Sequence, residues 1–370
     1  MGAIEKIKLL ILTPTLQCGG SEKYVSLLCN NINTQKFDVT LVVLNNSIPF
    51  YNISNHAVSV VDLKVNRARN SLFKIVAMIK SHKPNIVFST ANHLNLYLAI
   101  FKNWLPKNVI LIARESSIVS INSKRAKSPA LYTWLLKSFY KRIDHIICQS
   151  LYMQQDLIGN FNVDKNKTIV INNAVEAPES TIDDFLHKGN LNKVKFVTVA
   201  RLSEEKGIDR LIRAVAKLSL PYSYHIIGSG KKKHALQVLI NEMGLQHSIF
   251  LEGEKHDPFA GMEDAALFLM GSYYEGFPNT VLEANTIGIP VIAFNVPGGI
   301  NEIITNGENG FLVNEDNENK FTQAIERALQ TNFEAQKIKA STRSKYSILA
   351  ITKATEDLFT QLCQPSKANS

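Results

Sequence analysis

No apolar run in the 370-residue chain approaches the roughly 20 residues that a membrane-spanning helix needs. The most apolar early stretch, Leu9–Leu12, is too short for the core of a signal peptide and reads as a buried first strand. Cysteine is scarce and scattered. Cys18, Cys29, Cys148 and Cys363 form no CxxC pair, which argues against a zinc site and a disulfide framework and fits a reducing compartment. There is no low-complexity tract and no repeat of solenoid period. Also missing is a GxGxxG loop with an acid about 20 residues further on, which a dinucleotide site would want. What remains is an ordinary folded composition, 45% hydrophobic and 20% charged, in a chain long enough for two domains.

Charge is unevenly placed. The net charge is +9, and residues 1–185 carry 21 Lys and Arg against 12 Asp and Glu, whereas the remaining residues carry 20 of each. The whole excess lies in the first half, where it implies contact with something anionic.

Along the chain, short β-rich runs alternate with helical patterns. In the first half the expected strands are Ile7–Thr13, Val39–Leu44, Ile86–Ser89, Val109–Ala113, His145–Gln149 and Thr168–Ile171, with helices over Ser21–Asn31 and Leu72–His82. Residues 176–192 read as a linker. The alternation restarts with strands Lys195–Ala200, Tyr224–Gly228, Ile249–Leu251, Ala266–Met270 and Pro290–Phe294. The expected helices there are Gly207–Leu218, His234–Met243 and one carrying Val281–Thr286. Such βαβ alternation predicts two doubly wound, Rossmann-like α/β domains, residues 1–175 and 193–343, facing a central cleft. A last helix, about Ser344–Leu362 within residues 344–370, is expected to pack back on the first domain.

Four loops between a strand and a helix could carry chemistry. Gly19-Gly20 precedes a helix, so a ligand could approach the backbone and the free N–H groups of the helix start. A tight turn would look the same. Arg201 and Lys206 stand before Gly207 and could together hold a diphosphate, or be solvated loop cations. In Glu275-Gly276-Phe277-Pro278-Asn279-Thr280-Val281-Leu282-Glu283, a rigid loop offers backbone N–H groups beside a helix N-terminus. Its two carboxylates can each accept hydroxyl hydrogen bonds from a sugar. Pro297-Gly298-Gly299 repeats the arrangement.

Taken in order, Gly19-Gly20-Ser21-Glu22, Asn172-Asn173-Ala174-Val175, Arg201…Lys206-Gly207, Gly228-Ser229-Gly230, Glu275…Glu283 and Pro297-Gly298-Gly299…Gly310 resemble the family 4 glycosyltransferases across nearly the whole chain. The resemblance implies the two-domain GT-B fold and transfer from a nucleotide-sugar with retention of configuration. It implies that Arg201 and Lys206 neutralise the donor diphosphate, and that Glu275 contacts the transferred sugar. Glu283 would hold the ribose. Backbone amides around Gly276–Val281 would hold sugar and phosphate oxygens, Pro278 shaping the loop without an N–H of its own, with room left by Gly19 and Gly20. Asn173 belongs to the same set. No cofactor and no metal are expected, and the chain has no DxD motif. One departure stands out. Many members carry a His after the strand equivalent to Val109–Ala113, where this chain has Arg114-Glu115-Ser116, so Arg114 and Glu115 are candidates for donor or acceptor contact and His93 for a further one.

Asn122–Arg142 holds six cations and no acid, interleaved with Leu131, Tyr132, Trp134, Phe139 and Tyr140. That pattern suits an anionic membrane surface, and no nucleic-acid motif accompanies it. The expected partners are therefore a nucleotide-sugar donor, a lipid-linked saccharide acceptor and the inner face of a cytoplasmic membrane. The Glu275-Gly276-Phe277-Pro278-Asn279 form with Arg114 resembles bacterial transferases that use UDP-N-acetylhexosamines, which favours a UDP-sugar, either a hexose or an N-acetylhexosamine. GDP-mannose transfer and nucleotide-sugar epimerisation stay open as alternatives. A non-catalytic relative would be expected to have lost Arg201, Lys206, Glu275 or Glu283, and all four are present.

Overall fold

The structure is a computed structural model that describes residues 5–65, 70–176, 193–257, 259–262 and 264–364. It forms two compact units, one of residues 1–174 with 348–370 and one of residues 175–347. Residues 177–192, most of the expected linker, lie outside the described residues.

The first unit contains β1 (Ile7–Thr13), α1 (Gly20–Asn31), β2 (Phe37–Val43), β3 (Ser59–Asp62), α2 (Leu72–His82), β4 (Ile86–Ser89), α3 (Asn92–Ile100) and β5 (Ile110–Arg114). It continues through α4 (Val119–Lys124), α5 (Pro129–Phe139), β6 (His145–Cys148), α6 (Leu151–Phe161) and β7 (Thr168–Val170). All seven strands are parallel, in the order β3-β2-β1-β4-β5-β6-β7. Strands covered on both faces need continuous apolar runs, and Leu9–Leu12 and Ile86–Phe88 supply them, all buried.

The second unit contains β8 (Val194–Val199), α7 (Ile208–Val215), β9 (Tyr222–Ile227), α8 (Lys233–Glu242), β10 (Ile249–Gly253), β11 (Leu267–Met270), α9 (Asn279–Thr286), β12 (Val291–Phe294), α10 (Ile300–Ile303), β13 (Gly310–Val313), α11 (Glu318–Leu329) and α12 (Ala335–Tyr346). Its six parallel strands run β10-β9-β8-β11-β12-β13. In both units the winding reverses beside the first strand, between β1 and β4 and between β8 and β11. Loops leaving the carboxyl ends of such neighbours part in opposite directions and leave a crevice where ligands bind.

The expected single helix over Ser344–Leu362 is two helices. α12 ends at Tyr346, Ser347 turns extended at φ −61° and ψ 153°, and α13 (Ile348–Cys363) begins in the first unit. α13 lays Ile351, Leu358 and Phe359 on the core that α1 and the sheet share. Phe359 meets Phe88 and Phe37 edge-on, with ring centroids 5.4 and 6.3 Å away. Among the described residues, no helix is long and apolar enough to cross a membrane.

Deleting a fully buried aromatic leaves a cavity and removes its transfer energy, together about 3–5 kcal/mol. Phe359→Ala should lower the urea midpoint of the first unit accordingly. A variant as stable as the parent would mean that α13 contributes little to that core.

Candidate active site

In the second unit, β8 and β11 flank the winding reversal, so the loops after them must lie side by side. The loop after β8 ends in a short 3₁₀ turn, Glu204–Lys206, then Gly207 at φ +53°. That left-handed conformation aims the chain into α7, and a β-carbon there would stand 2.1 Å from the carbonyl oxygen of Gly271, at the end of β11. The Tyr273 amide donates to the Glu205 carbonyl at 2.9 Å, which closes the two loops on each other.

This closure brings together two of the residues singled out in the sequence. Lys206 Nζ donates to Glu275 Oε1 at 2.6 Å, both side chains being mostly buried. The same oxygen accepts from Ser272 Oγ at 2.5 Å. A half-buried ion pair with a hydroxyl on the carboxylate is stronger than a solvated one and holds both groups in one place. Arg201 is not part of it. Its side chain is 77% exposed and reaches only Glu205, at 3.9 Å. It is thus a solvent-exposed cation on that loop, weakly paired.

A third loop fits beneath the second. The Glu275 amide donates to the Pro297 carbonyl and the Gly299 amide to the Gly276 carbonyl, each at 3.0 Å. Gly298, at φ +126°, allows this, because a β-carbon would fall 1.6 Å from the Glu275 oxygen. Pro278 caps α9, so Asn279, Thr280 and Val281 form its first turn. The Val281 and Leu282 amides turn onto the Pro278 carbonyl, at 3.2 and 3.4 Å. Phe277 is buried with its ring 5.6 Å from that of Tyr346. Glu283, one turn into α9, is only 4% exposed, so any ligand it meets lies deep against the helix.

In the first unit, Gly19 caps α1 in extended conformation and Gly20 begins the helix. Ser21 Oγ donates to the Thr90 carbonyl at 2.8 Å, fixing this helix start beside the loop after β4. His93 lies exposed in the first turn of α3. Arg114 and Glu115 depart from expectation. Neither presents its side chain to solvent, both being 0% exposed. The Arg114 guanidinium stacks 3.6 Å over the Tyr24 ring and donates to Asn173 Oδ1 at 2.6 Å. The Tyr24 hydroxyl meets Thr355 of α13 at 2.9 Å. Glu115 Oε1 accepts from Asn95 and from the Tyr140 hydroxyl, both at 2.8 Å, while Oε2 has no hydrogen-bond partner. These two charges brace the strand end from within instead of facing a substrate, and Asn173 is bound into the same brace. Sequence reading missed Ser272, Tyr24 and Asn95, each an unremarkable polar residue until the fold supplies its partner. It set Tyr140 among the membrane-facing residues of 122–142, whereas the Tyr140 side chain is fully buried and donates to Glu115.

Two family profiles match in chain order. "Glycosyltransferase Family 4" matches residues 18–177, and "Glycosyl transferases group 1" matches residues 179–345. An uncharacterized glycosyltransferase of Methanocaldococcus jannaschii is 31% identical, over 63% of this chain and 61% of its own length. The N-acetylgalactosamine-N,N'-diacetylbacillosaminyl-diphospho-undecaprenol 4-alpha-N-acetylgalactosaminyltransferase of Campylobacter jejuni is 27% identical, over 91% of this chain and 95% of its own. Among solved structures, the apo lipopolysaccharide outer core galactosyltransferase WaaB superposes with a TM-score of 0.76 at 17% identity, covering 96% of this chain and 100% of that one. The Anabaena protein HepE, solved with UDP-glucose, superposes with a TM-score of 0.77 at 20% identity and the same coverage. At those identities the likeness of the two structures is one of fold.

Burial pushes the Glu115 carboxyl up to about 7, against the opposing bonds from Asn95 and Tyr140. A carboxyl raised in the fold binds its proton more tightly there than in the unfolded chain. Its contribution to stability is therefore full below the ordinary carboxylate range and is lost as pH climbs through about 7. Urea midpoints should fall between pH 5 and pH 8 in the parent and fall less in Glu115→Gln. Parallel pH profiles for the two proteins would contradict this.

Proposed function

We propose that this chain, which belongs to the family 4 glycosyltransferases and has their GT-B fold, moves a hexose or N-acetylhexosamine from a UDP-sugar to a lipid-diphosphate-linked saccharide, with retention of configuration. The observation that carries the reading is the Lys206–Glu275 pair at the winding reversal between β8 and β11. Lys206 has three donors and spends one on Glu275, which leaves positive charge for a donor diphosphate. Arg201, exposed and loosely paired, swings onto the same phosphates. Glu275 has a second oxygen for hydroxyls of the transferred sugar, and Glu283 takes the ribose. The first turn of α9, residues 279–281, places the positive end of a helix beside them.

In this reading no protein nucleophile is needed. The acceptor hydroxyl attacks the anomeric carbon on the face from which the diphosphate departs, and the leaving diphosphate takes the hydroxyl proton. Catalysis is positioning plus stabilisation of the leaving charge by Lys206 and Arg201, without a metal ion. Uridine is supported by the HepE structure with UDP-glucose, and a lipid-diphosphate acceptor by the Campylobacter relative, which covers most of both chains. Work on a bacterial surface polysaccharide is in keeping with relatives from amylovoran and colanic acid biosynthesis.

The acceptor is reached at a membrane. On α5, Leu131 and Trp134 are 57% and 58% exposed one turn apart, and Lys124, Arg125, Lys127, Lys137 and Lys141 around them are exposed as well. Each such cation near an anionic bilayer contributes about 1 kcal/mol, and the indole suits the headgroup level. The reading therefore has the protein on the inner face of a cytoplasmic membrane.

Calorimetry with UDP and GDP, then transfer and hydrolysis assays with several nucleotide-sugars, test the donor. UDP should bind, and chelation of divalent ions should leave turnover unchanged. Lys206→Ala should lower kcat by about a hundredfold or more with the fold retained. Preference for GDP would move the reading to mannosyl transfer, and sugar isomerisation without transfer would overturn it. For docking, vesicles containing anionic lipid should retain the protein at low salt and release it at high salt. Trp134→Ser with Lys137→Glu should abolish retention, and retention by that variant would remove α5 from the surface.

A further inference from the structure

Arg210 lies on α7, four residues after Lys206, and is 5% exposed. Its guanidinium makes contacts on every side. Nε donates to the Gly271 carbonyl at 2.7 Å, Nη2 to the Ser272 carbonyl, and Nη1 to Asp316 at 2.7 Å. The rings of Tyr273 and Phe294 sandwich it, with centroids 4.0 and 3.8 Å away. A planar fork with fixed donors suits this task, and a flexible ammonium does not. The two carbonyls belong to the last residues before Tyr273-Tyr274-Glu275, and Ser272 is the residue whose hydroxyl bonds Glu275.

We propose that Arg210 is a positioning residue of the donor site. By holding the carbonyls of Gly271 and Ser272 it sets where Ser272 Oγ stands, and through it where Glu275 meets Lys206. The proposal rests on the reading of Lys206 and Glu275 as the donor site. Asp316 supplies countercharge from the exposed side and touches none of that loop's carbonyls. The route of action is therefore Arg210, loop carbonyls, Ser272, Glu275.

The test uses the full-length chain as Arg210→Lys, Ser272→Ala, their double variant and Asp316→Asn, with melting temperature measured for each. Hydrogen exchange without ligand reads the segment 271–278, and UDP release from UDP-N-acetylgalactosamine reads turnover. Arg210→Lys should speed exchange in that segment while β8 and α8 keep their protection. It should lower kcat about tenfold with UDP affinity changed less than about threefold. The double variant should be no more than about twofold slower than the slower single variant, because both act through one carboxylate. Asp316→Asn should stay within about twofold of the parent. Unchanged exchange in 271–278, unchanged kcat, or effects that multiply would overturn the proposal. If Arg210→Lys does not fold, parental kcat in Ser272→Ala overturns it, since the route passes through that hydroxyl. A parent that neither binds UDP nor releases it sinks the donor-site reading, while the exchange data still judge whether Arg210 holds the loop.

Discussion

Where a parallel sheet reverses its winding, two neighbouring strands send their chains away in opposite directions, and their carboxyl ends stay uncovered. The arrangement of β8 and β11 is such a place, and the second unit's chemistry depends on it. Lys206 and Glu275 are 69 residues apart, yet the reversal sets their loops side by side, and a 2.6 Å ion pair follows. Backbone contact does the rest. Gly207 against Gly271 and Gly298 against Glu275 are approaches that any side chain would prevent. The loops therefore hold one another largely through main-chain atoms, with the Arg210 guanidinium and the Lys206–Glu275 pair completing the contact.

The first unit uses the same topology and fills it differently. Its strand end at β5 carries a charged pair, yet both charges turn inward. Arg114 is held by the Tyr24 face and Asn173, and Glu115 by Asn95 and Tyr140. Burying two charges is costly unless each is bonded. Arg114 has one hydrogen bond and one ring contact, with Nε and Nη1 left without partners, and Glu115 is bonded through Oε1 alone, which is in keeping with its carboxyl holding a proton up to about 7. Tyr24 on α1 joins Arg114 to Thr355 of α13.

Much of this was legible in the sequence because local rules and tertiary structure agree. β1, α2 and β4 occupy the residues expected, since each is an apolar run or stripe with a clear turn or proline beyond it. Glu275 and Lys206 were legible because loop glycines and prolines frame them. Three features were not. The break at Ser347 has no glycine or proline to mark it, and both flanks are good helix. Arg114 and Glu115 read as ligand contacts because adjacent charges at a strand end are seldom buried, and their side-chain partners lie far along the chain, from Asn95, 20 residues before Glu115, to Tyr24, 90 residues before Arg114. Arg210 sits in IDRLIRAV beside Arg213, which is half-exposed, and nothing local tells the two apart.

The place of α13 has a consequence for how the chain is born. The first unit's sheet leaves the ribosome early, but the helix that covers Phe37 and Phe88 follows only after the 173 residues of 175–347. At typical synthesis rates that is a wait of roughly ten to thirty-five seconds with an apolar face uncovered. The nascent chain thus carries that face either under a chaperone or on a metastable first unit until α13 is made.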